Sequence, residues 1–187
     1  MRGVRARHPR FREAVIADAR ITAGFRGERA DFTSPLDTIV QVLRLMLMTD
    51  AFLAQVAYRA KARMQALGIP LLPRLAHWIA MASAQVSIGD PVVVHPGIYI
   101  VHGQVVVDGI IEVSSGVVLF PFVTLGLIGP EVTGPTIGPN AQIGSGARVL
   151  GKLRVGANAR VGANAVVLDD VPDGATVVGV PARVTGA

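Results

Sequence analysis

The sequence predicts a mainly β protein: a left-handed parallel β-helix built of hexapeptide repeats, preceded by a small α-helical domain. Three observations lead there. An aliphatic residue recurs every six positions in the second half of the chain, small residues hold fixed places between those aliphatics, and the first half carries its apolar residues at helical spacing. The chain divides accordingly into a basic N-terminal segment, 1–34, a helical domain, 35–84, and the repeat array, 85–187.

The repeat is clearest from Ile137 onward, through Ile143, Val149, Val155, Val161 and Val167. Glycine follows directly at Gly138, Gly144, Gly156 and Gly162, and alanine stands four after the aliphatic at Ala141, Ala147, Ala159 and Ala165. Upstream, Ile88, Val94, Ile100 and Val106 keep the same period, which slips by one residue and resumes at Val107, Val113, Leu119 and Leu125. A period of six fits neither a helix nor a simple strand; it fits a coil with three flat faces, one hexapeptide each. The aliphatic points into a triangular interior, small residues let the chain turn, and each coil pairs with its neighbours. Residues 126–136 lack the signature and read as a loop thrown out from a corner, where function often resides.

In the helical region, Ser34 is placed to cap a helix with Pro35 at its first position. Leu36, Ile39, Val40, Leu43 and Leu47 give that helix a broad apolar face. Thr49 or Asp50 caps a second helix, which carries Phe52, Leu53, Val56 and Ala60 and stops at Gly68. Pro73 opens a third, through Leu75 and Trp78. His77 lies here with nothing nearby to partner it.

Composition narrows the function. Of 187 residues 51% are hydrophobic but only 5% aromatic, so the core is built from Val, Ile, Leu and Ala. The absence of Cys removes disulfides, thiolate metal sites and a Cys nucleophile, and it fits a cytoplasmic protein. No signal-peptide pattern and no apolar run of about 18 residues is present, so no membrane association is expected. The net charge of +5 resides in the first 30 residues, which hold Arg2, Arg5, Arg7, Arg10, Arg12, Arg20, Arg26 and Arg29 against Glu13, Asp18 and Glu28. Such a segment either docks on an acidic partner, such as a carrier protein, or is a solvated tail. Without interleaved aromatics it gives no sign of nucleic-acid binding.

The succession His95-Pro96-Gly97, Ile100-Val101-His102-Gly103, Val123-Thr124-Leu125-Gly126 and Gly179-Val180-Pro181-Ala182-Arg183, with the helical piece ending in Leu75-Ala76-His77-Trp78, resembles the serine O-acetyltransferase family. The resemblance spans roughly residues 35–186. It implies a homotrimer, or a pair of such trimers, with active sites in the grooves between β-helices. It also implies acetyl-CoA as cosubstrate and direct acyl transfer with no covalent enzyme intermediate. His102 falls on the family's catalytic histidine. Gly126 and the loop after it would present N–H groups to the thioester, Ala147, Gly162 and Ala163 would admit the pantetheine arm, and Pro181 and Arg183 would lie by the adenine nucleotide, Arg183 on a phosphate. For the alanines and glycines, coil geometry alone is a sufficient reason.

This chain also departs from the family. Thr133-Gly134-Pro135-Thr136 stands where the family has its second active-site histidine and an arginine, and Val93 and Val101 stand where it has aspartates. The groups that grip a free amino acid are thus replaced, which points to a serine-like or carrier-bound hydroxyl acceptor. The chain ends at Ala187 without the family's tail, so no complex with cysteine synthase is expected.

Acyl transfer to a hydroxyl needs a base for the acceptor proton and donors for the oxyanion. His102 is the candidate base, since imidazole exchanges a proton near neutral pH; Asp108 and Glu112 are candidates to orient it. His95 sits in a Pro-Gly turn and reads as structural. Two solenoid histidines fall short of the three that a β-helical carbonic anhydrase needs for zinc. The main reading is a CoA-dependent O-acyltransferase; the alternatives are an N-acetyltransferase on an amine or amino sugar and a catalytically inactive scaffold of the same fold.

Overall fold

A computed structural model describes residues 7–49 and 51–185. Four helices, α1 (Phe11–Phe25), α2 (Pro35–Met48), α3 (Phe52–Ala66) and α4 (Leu72–Ala84), precede a parallel β-helix. Its short strands visit three sheets in rotation, the last rung of the second sheet being reduced to a single bridge between Val155 and Val171. Face A holds β1 (Val86–Ile88), β4 (Val105–Val107), β7 (Thr124–Gly126), β10 (Arg148–Leu150) and β13 (Val166–Val167). Face B holds β2 (Val93–Val94), β5 (Ile110–Val113), β8 (Thr133–Ile137) and β11 (Arg154–Val155). Face C holds β3 (Tyr99–Ile100), β6 (Val118–Leu119), β9 (Gln142–Ile143), β12 (Arg160–Val161) and β14 (Thr176–Val178), closed by the antiparallel β15 (Arg183–Val184).

The aliphatic of each hexapeptide is the interior residue. Ile137, Ile143, Val149 and Val155 have no exposed surface, and neither do Ala141, Ala147, Ala159 and Ala165. Each buried Val or Ile contributes about 1.5–3 kcal/mol. The backbone turns at the third residue after the aliphatic, where Asn140, Gly146, Asn158 and Asn164 adopt left-handed φ angles of 56–72°. The glycines that directly follow the aliphatics serve close approach instead: a Cβ on Gly138 would lie 2.7 Å from the Ala157 nitrogen of the next coil.

Two expectations are corrected by the register. Val106 points outward, 43% exposed, while Val107 is 1% exposed, so the slip comes earlier, between Ile100 and Val107. The irregular loop is also shorter than 126–136. Gly126 belongs to β7 and Thr133–Thr136 to β8, because their backbones pair with neighbouring coils whatever their side chains. Residues 127–132 form the excursion, at the corner between faces A and B.

The helices cap the open end of the solenoid. Backbone N–H groups of each coil donate to carbonyls of the next, as Gly89 does to Val107 at 2.8 Å and His95 to Val113 at 2.8 Å. The carbonyls of the first coil therefore have no coil above them, and unpaired buried carbonyls are costly. Helix α3 supplies the donors. Lys61 Nζ donates to Ile88 O at 2.6 Å, Tyr58 to Val92 O at 3.1 Å, Arg59 Nη2 to His95 O at 2.8 Å and Gln55 to Ile98 O at 3.1 Å; Arg59 Nη1 also donates to Val94 O. Asp18 of α1 neutralises Arg59, at 2.8 and 3.1 Å, and accepts from the N–H groups of Gly97 and Ile98.

The basic N-terminal segment is thus no solvated tail from Arg7 onward. Ala14, Asp18, Ala19 and Thr22 are buried, Arg7 pairs with Glu112, Arg26 with Glu28 and Arg29 with Asp37. Arg2 and Arg5 lie outside the described residues, as does Asp50; Ser34 caps α2 as expected, accepting from Asp37 N–H at 3.1 Å. Helix α2 buries only Leu45 and leaves Leu36, Ile39, Val40, Leu43 and Leu47 exposed. Among the described residues no single helix is long and apolar enough to cross a membrane.

Replacing Arg59 by Leu strands the Asp18 charge and two first-coil carbonyls. Urea unfolding should show a loss of about 3–5 kcal/mol; a loss below about 1 kcal/mol would mean that the cap does not depend on this pair. Stability should also fall on mild acidification. Burial, with the nearby Arg59 and Lys61, holds the His8 imidazole below its ordinary value, and burial does the same to His77. The folded chain then binds fewer protons than the unfolded chain, so the stabilisation is complete above about pH 6.5 and lost as pH falls toward the folded values. Thermal midpoints from about pH 7.5 to about pH 5.5 should decline in the native chain and decline less in a His8→Gln/His77→Gln variant.

Candidate active site

His102 lies on the C-to-A corner of the first coil, and that corner is built differently from the others. Seven residues rather than six separate its flanking interior aliphatics, Ile100 and Val107, both 1% exposed. The extra residue is absorbed by three successive left-handed residues, His102, Gly103 and Gln104, at φ 60°, 100° and 55°. The end of α4 clamps this turn: Gln104 N–H donates to Ala84 O at 2.7 Å, and a Cβ on Gly103 would stand 2.2 Å from that oxygen. The bulged turn carries His102 outward, where it is exposed.

A small cavity of about 50 Å³ separates His102 from Thr22 of α1 and Arg26 just past its end, from the α2–α3 joint at Thr49 and Phe52, and from Tyr99. Tyr99 stacks on Phe25 at 5.0 Å, and burial pushes its phenol up, keeping the hydroxyl a donor. Arg26 is engaged by Glu28 at 3.0 Å.

The orienting acids proposed from the sequence stand elsewhere. Glu112 is on face B, where its carboxylate binds His95 Nε2 at 2.8 Å and Arg7; the His95 bond holds it below the usual carboxylate range. Asp108 is on the A-to-B corner against Gly89. It lines a cleft of about 590 Å³ with Lys61, Arg74, His77 and Asp90, so His77 has charged neighbours after all. Lys61 pairs with Asp90 at 2.9 Å. Sequence spacing hid this cleft because α3, α4 and the first coil meet only in the fold. No group of three His, Cys, Asp or Glu fit to hold a metal occurs among the described residues.

The expected cofactor residues are divided. Gly162 and Ala163 lie on the same C-to-A corner as His102, three coils further along, about 14 Å at the spacing of paired strands. Pro181 follows on the next coil, exposed, and Arg183 is exposed in β15, 3.4 Å from Asp169. Ala147 is corrected: it has no exposed surface and faces the interior, where only a small side chain fits. Gly126 is buried at the far end of face A, its carbonyl accepting from Gly151 at 3.0 Å. The sequence reading overlooked Phe122, which is 61% exposed on the C-to-A corner and left-handed at φ 65°. Its signal was a bulky residue at a position that on the next two C-to-A corners holds Gly146 and Asn164.

Comparison with known proteins agrees with this architecture. Residues 134–169 match the family model described as bacterial transferase hexapeptide (six repeats). The serine acetyltransferase of Synechococcus elongatus is 37% identical over 145 residues, 76% of this chain and 59% of that protein; that of Bacillus subtilis is 42% identical over 124 residues, 61% of this chain and 57% of that protein. The chain thus spans a little under three fifths of the length of the curated relatives it matches. The soybean serine acetyltransferase apoenzyme superimposes with a TM-score of 0.78 at 30% identity, covering 96% of this chain and 71% of that one. With its helical cap, its rotating three-faced solenoid and this similarity across nearly its full length, the chain belongs to the serine acetyltransferase family of hexapeptide-repeat proteins.

Proposed function

We propose that the chain is a CoA-dependent O-acyltransferase, transferring an acetyl group from acetyl-CoA to a small hydroxyl acceptor, with His102 as general base. The observation that carries this reading is the bulged corner at residues 101–104, which turns the one histidine of the C-to-A edge outward. His102 takes the acceptor proton as the hydroxyl oxygen attacks the thioester carbonyl carbon. The C–S bond then breaks, and the proton passes to the departing thiolate to give free CoA and the ester. Family membership supports both the chemistry and the cosubstrate. A soybean serine acetyltransferase has been solved in complex with serine, so serine is the reference acceptor.

The cosubstrate runs along the C-to-A edge past Gly162 and Ala163 toward Pro181 and Arg183, whose guanidinium would leave Asp169 for a phosphate. His102 and the 127–132 loop lie at opposite ends of face A. A groove containing both takes His102 from one protomer and the loop from its neighbour, as a trimer provides. The exposed apolar stripe of α2 gives such an assembly further surface to bury. We place the protein in the cytoplasm, in keeping with its lack of cysteine.

Replacing His102 by Ala should lower the rate of thiol release from acetyl-CoA with a hydroxyl acceptor by about 100-fold or more. CoA binding by calorimetry should be unchanged. Equal rates in the two proteins would remove His102 from the chemistry, and acyl transfer to amines alone would favour N-acylation.

A further inference from the structure

The cleft of about 590 Å³ at the head of the A-to-B edge has the size of a small-ligand site. Two of its charges are already engaged: Lys61 closes the first coil through Ile88 O and pairs with Asp90 at 2.9 Å. Two others are not. Arg74, from the first turn of α4, and Asp108, from the solenoid, both line the cleft, and neither enters an ion pair among the described residues. The Arg74 guanidinium lies 5.9 Å over the Trp78 ring. Asp108 lies in against the first coil because residue 89 is glycine: a Cβ there would stand 2.7 Å from Asp108 Oδ1. His77 adds no charge at neutral pH, since burial and the nearby Lys61 hold its imidazole below the ordinary value. The cleft thus offers one guanidinium and one carboxylate that no described residue neutralises. A zwitterion loses hydration at both its charges on binding and needs opposite charges in return, and this pair supplies them.

Its level in the solenoid is the second observation. The cleft and His102 flank face A on opposite edges, so a protomer's cleft does not serve its own His102. Along the solenoid axis, however, the two coincide. Height follows sequence in a β-helix. Asp90 stands on the A-to-B corner that precedes the His102 turn and Asp108 on the one that follows it. The cleft therefore brackets the level of His102 within about one coil spacing, 4.8 Å. In a cyclic trimer whose axis runs along the solenoids, equal levels face one another. The groove that takes His102 from one protomer then takes this cleft from the next. Below the cleft, Leu127 lies against Gly109, where a Cβ would come 2.4 Å from its Cδ2, so the 127–132 excursion starts directly beneath it on the same wall. The path for the cosubstrate leaves His102 along the other wall, toward Gly162 and Ala163.

We infer that this cleft is the acceptor's clamp and acts in trans: the partner's Arg74 receives the carboxylate of a zwitterionic hydroxy amino acid, the partner's Asp108 its ammonium, and the hydroxyl is delivered to His102. This rests on the O-acyltransferase and trimer readings above and names the residues that select the acceptor. The guanidinium can take a carboxylate through two parallel N–H bonds, which fixes the orientation as well as the charge. The reaction is the one above: a C–O bond forms at the acetyl carbon, the C–S bond breaks, and the hydroxyl proton leaves through His102 to the CoA thiolate. Arg74 and Asp108 bind the acceptor and take no part in the proton transfer.

The test uses thiol release from acetyl-CoA with serine as acceptor and glycerol as its uncharged counterpart. Arg74 and Asp108 are both exposed, so Arg74→Gln and Asp108→Asn should fold with the native Tm. Each should raise the serine KM about tenfold or more while leaving kcat within about threefold and CoA affinity by calorimetry unchanged. Co-expression of differently tagged His102→Ala and Arg74→Gln chains, with purification on both tags, then gives mixed trimers. Around each such ring one groove alone joins an intact His102 to an intact Arg74 of its partner. Mixed trimers should therefore show a component with the native serine KM, at about one third of the native kcat per trimer. Mixed trimers that show only the raised KM of the Arg74→Gln parent would overturn the inference and leave the acyltransferase reading intact. So would single variants with the native serine KM, a preference for glycerol over serine, or a native chain that is active on serine as a monomer in light scattering. No CoA binding and no thiol release with any acceptor would overturn both readings.

Discussion

A parallel β-helix has a direction, and its first coil has no partner on one side. Most N–H groups along the rungs donate to the coil that follows, while corner groups such as Gly116 and Asn140 donate back, so the leading coil is left with carbonyls at Ile88, Val92, Val94, His95 and Ile98 for the cap to claim. The helical domain exists in its present form because of those carbonyls. Helix α3 meets them with an amide, a phenol, a guanidinium and an ammonium, all buried, and each is placed over a different carbonyl. Burying a guanidinium and an ammonium so deeply is possible only because Asp18 and Asp90 accompany them. Asp18 does double service, since the same oxygen that binds Arg59 takes the N–H groups at the first B-to-C corner.

That constraint also positions the site. The cap has to sit on the first coil, so the end of α4 arrives against the first C-to-A corner, and the turn there must accommodate it. The extra residue and the three left-handed conformations at positions 102–104 are the local answer. His102 is exposed as a consequence. The candidate catalytic group is therefore fixed from two directions, by the rigid rung beneath it and by the helix that closes the end of the solenoid.

The solenoid was legible in the sequence because its interior is one-dimensional: a knob every six residues, each meeting the same surroundings. Ile137 through Val167 could be read directly for that reason. Val106 was misassigned because Val105, Val106 and Val107 are chemically equivalent, and only the bulge at the preceding corner decides which of them points inward. The α1 helix was hidden by its arginines, which suggested solvent while Asp18, the buried residue that matters, looked like one acid among many bases. The site was half legible. The family motif gave His102, but Glu112 and Asp108 were near it only along the chain, and Ala147 was small for the interior rather than for a cofactor. Phe122 was visible only as a bulky residue at a turn position; its left-handed backbone shows only in the fold.

The closure of both ends has one more consequence. Parallel coils with free edges are templates for one another, since the trailing edge of one chain matches the leading edge of the next and stacking could continue without limit. Here the leading edge is covered by side chains from α3 rather than by backbone. The trailing edge is turned back on itself by β15, whose antiparallel pairing with β14 breaks the polarity that end-to-end growth requires. A chain stripped of α3 would present a bare parallel edge, and its hazard would be fibre growth more than simple unfolding. The same few buried side chains that complete the fold thus also keep each solenoid a finite object.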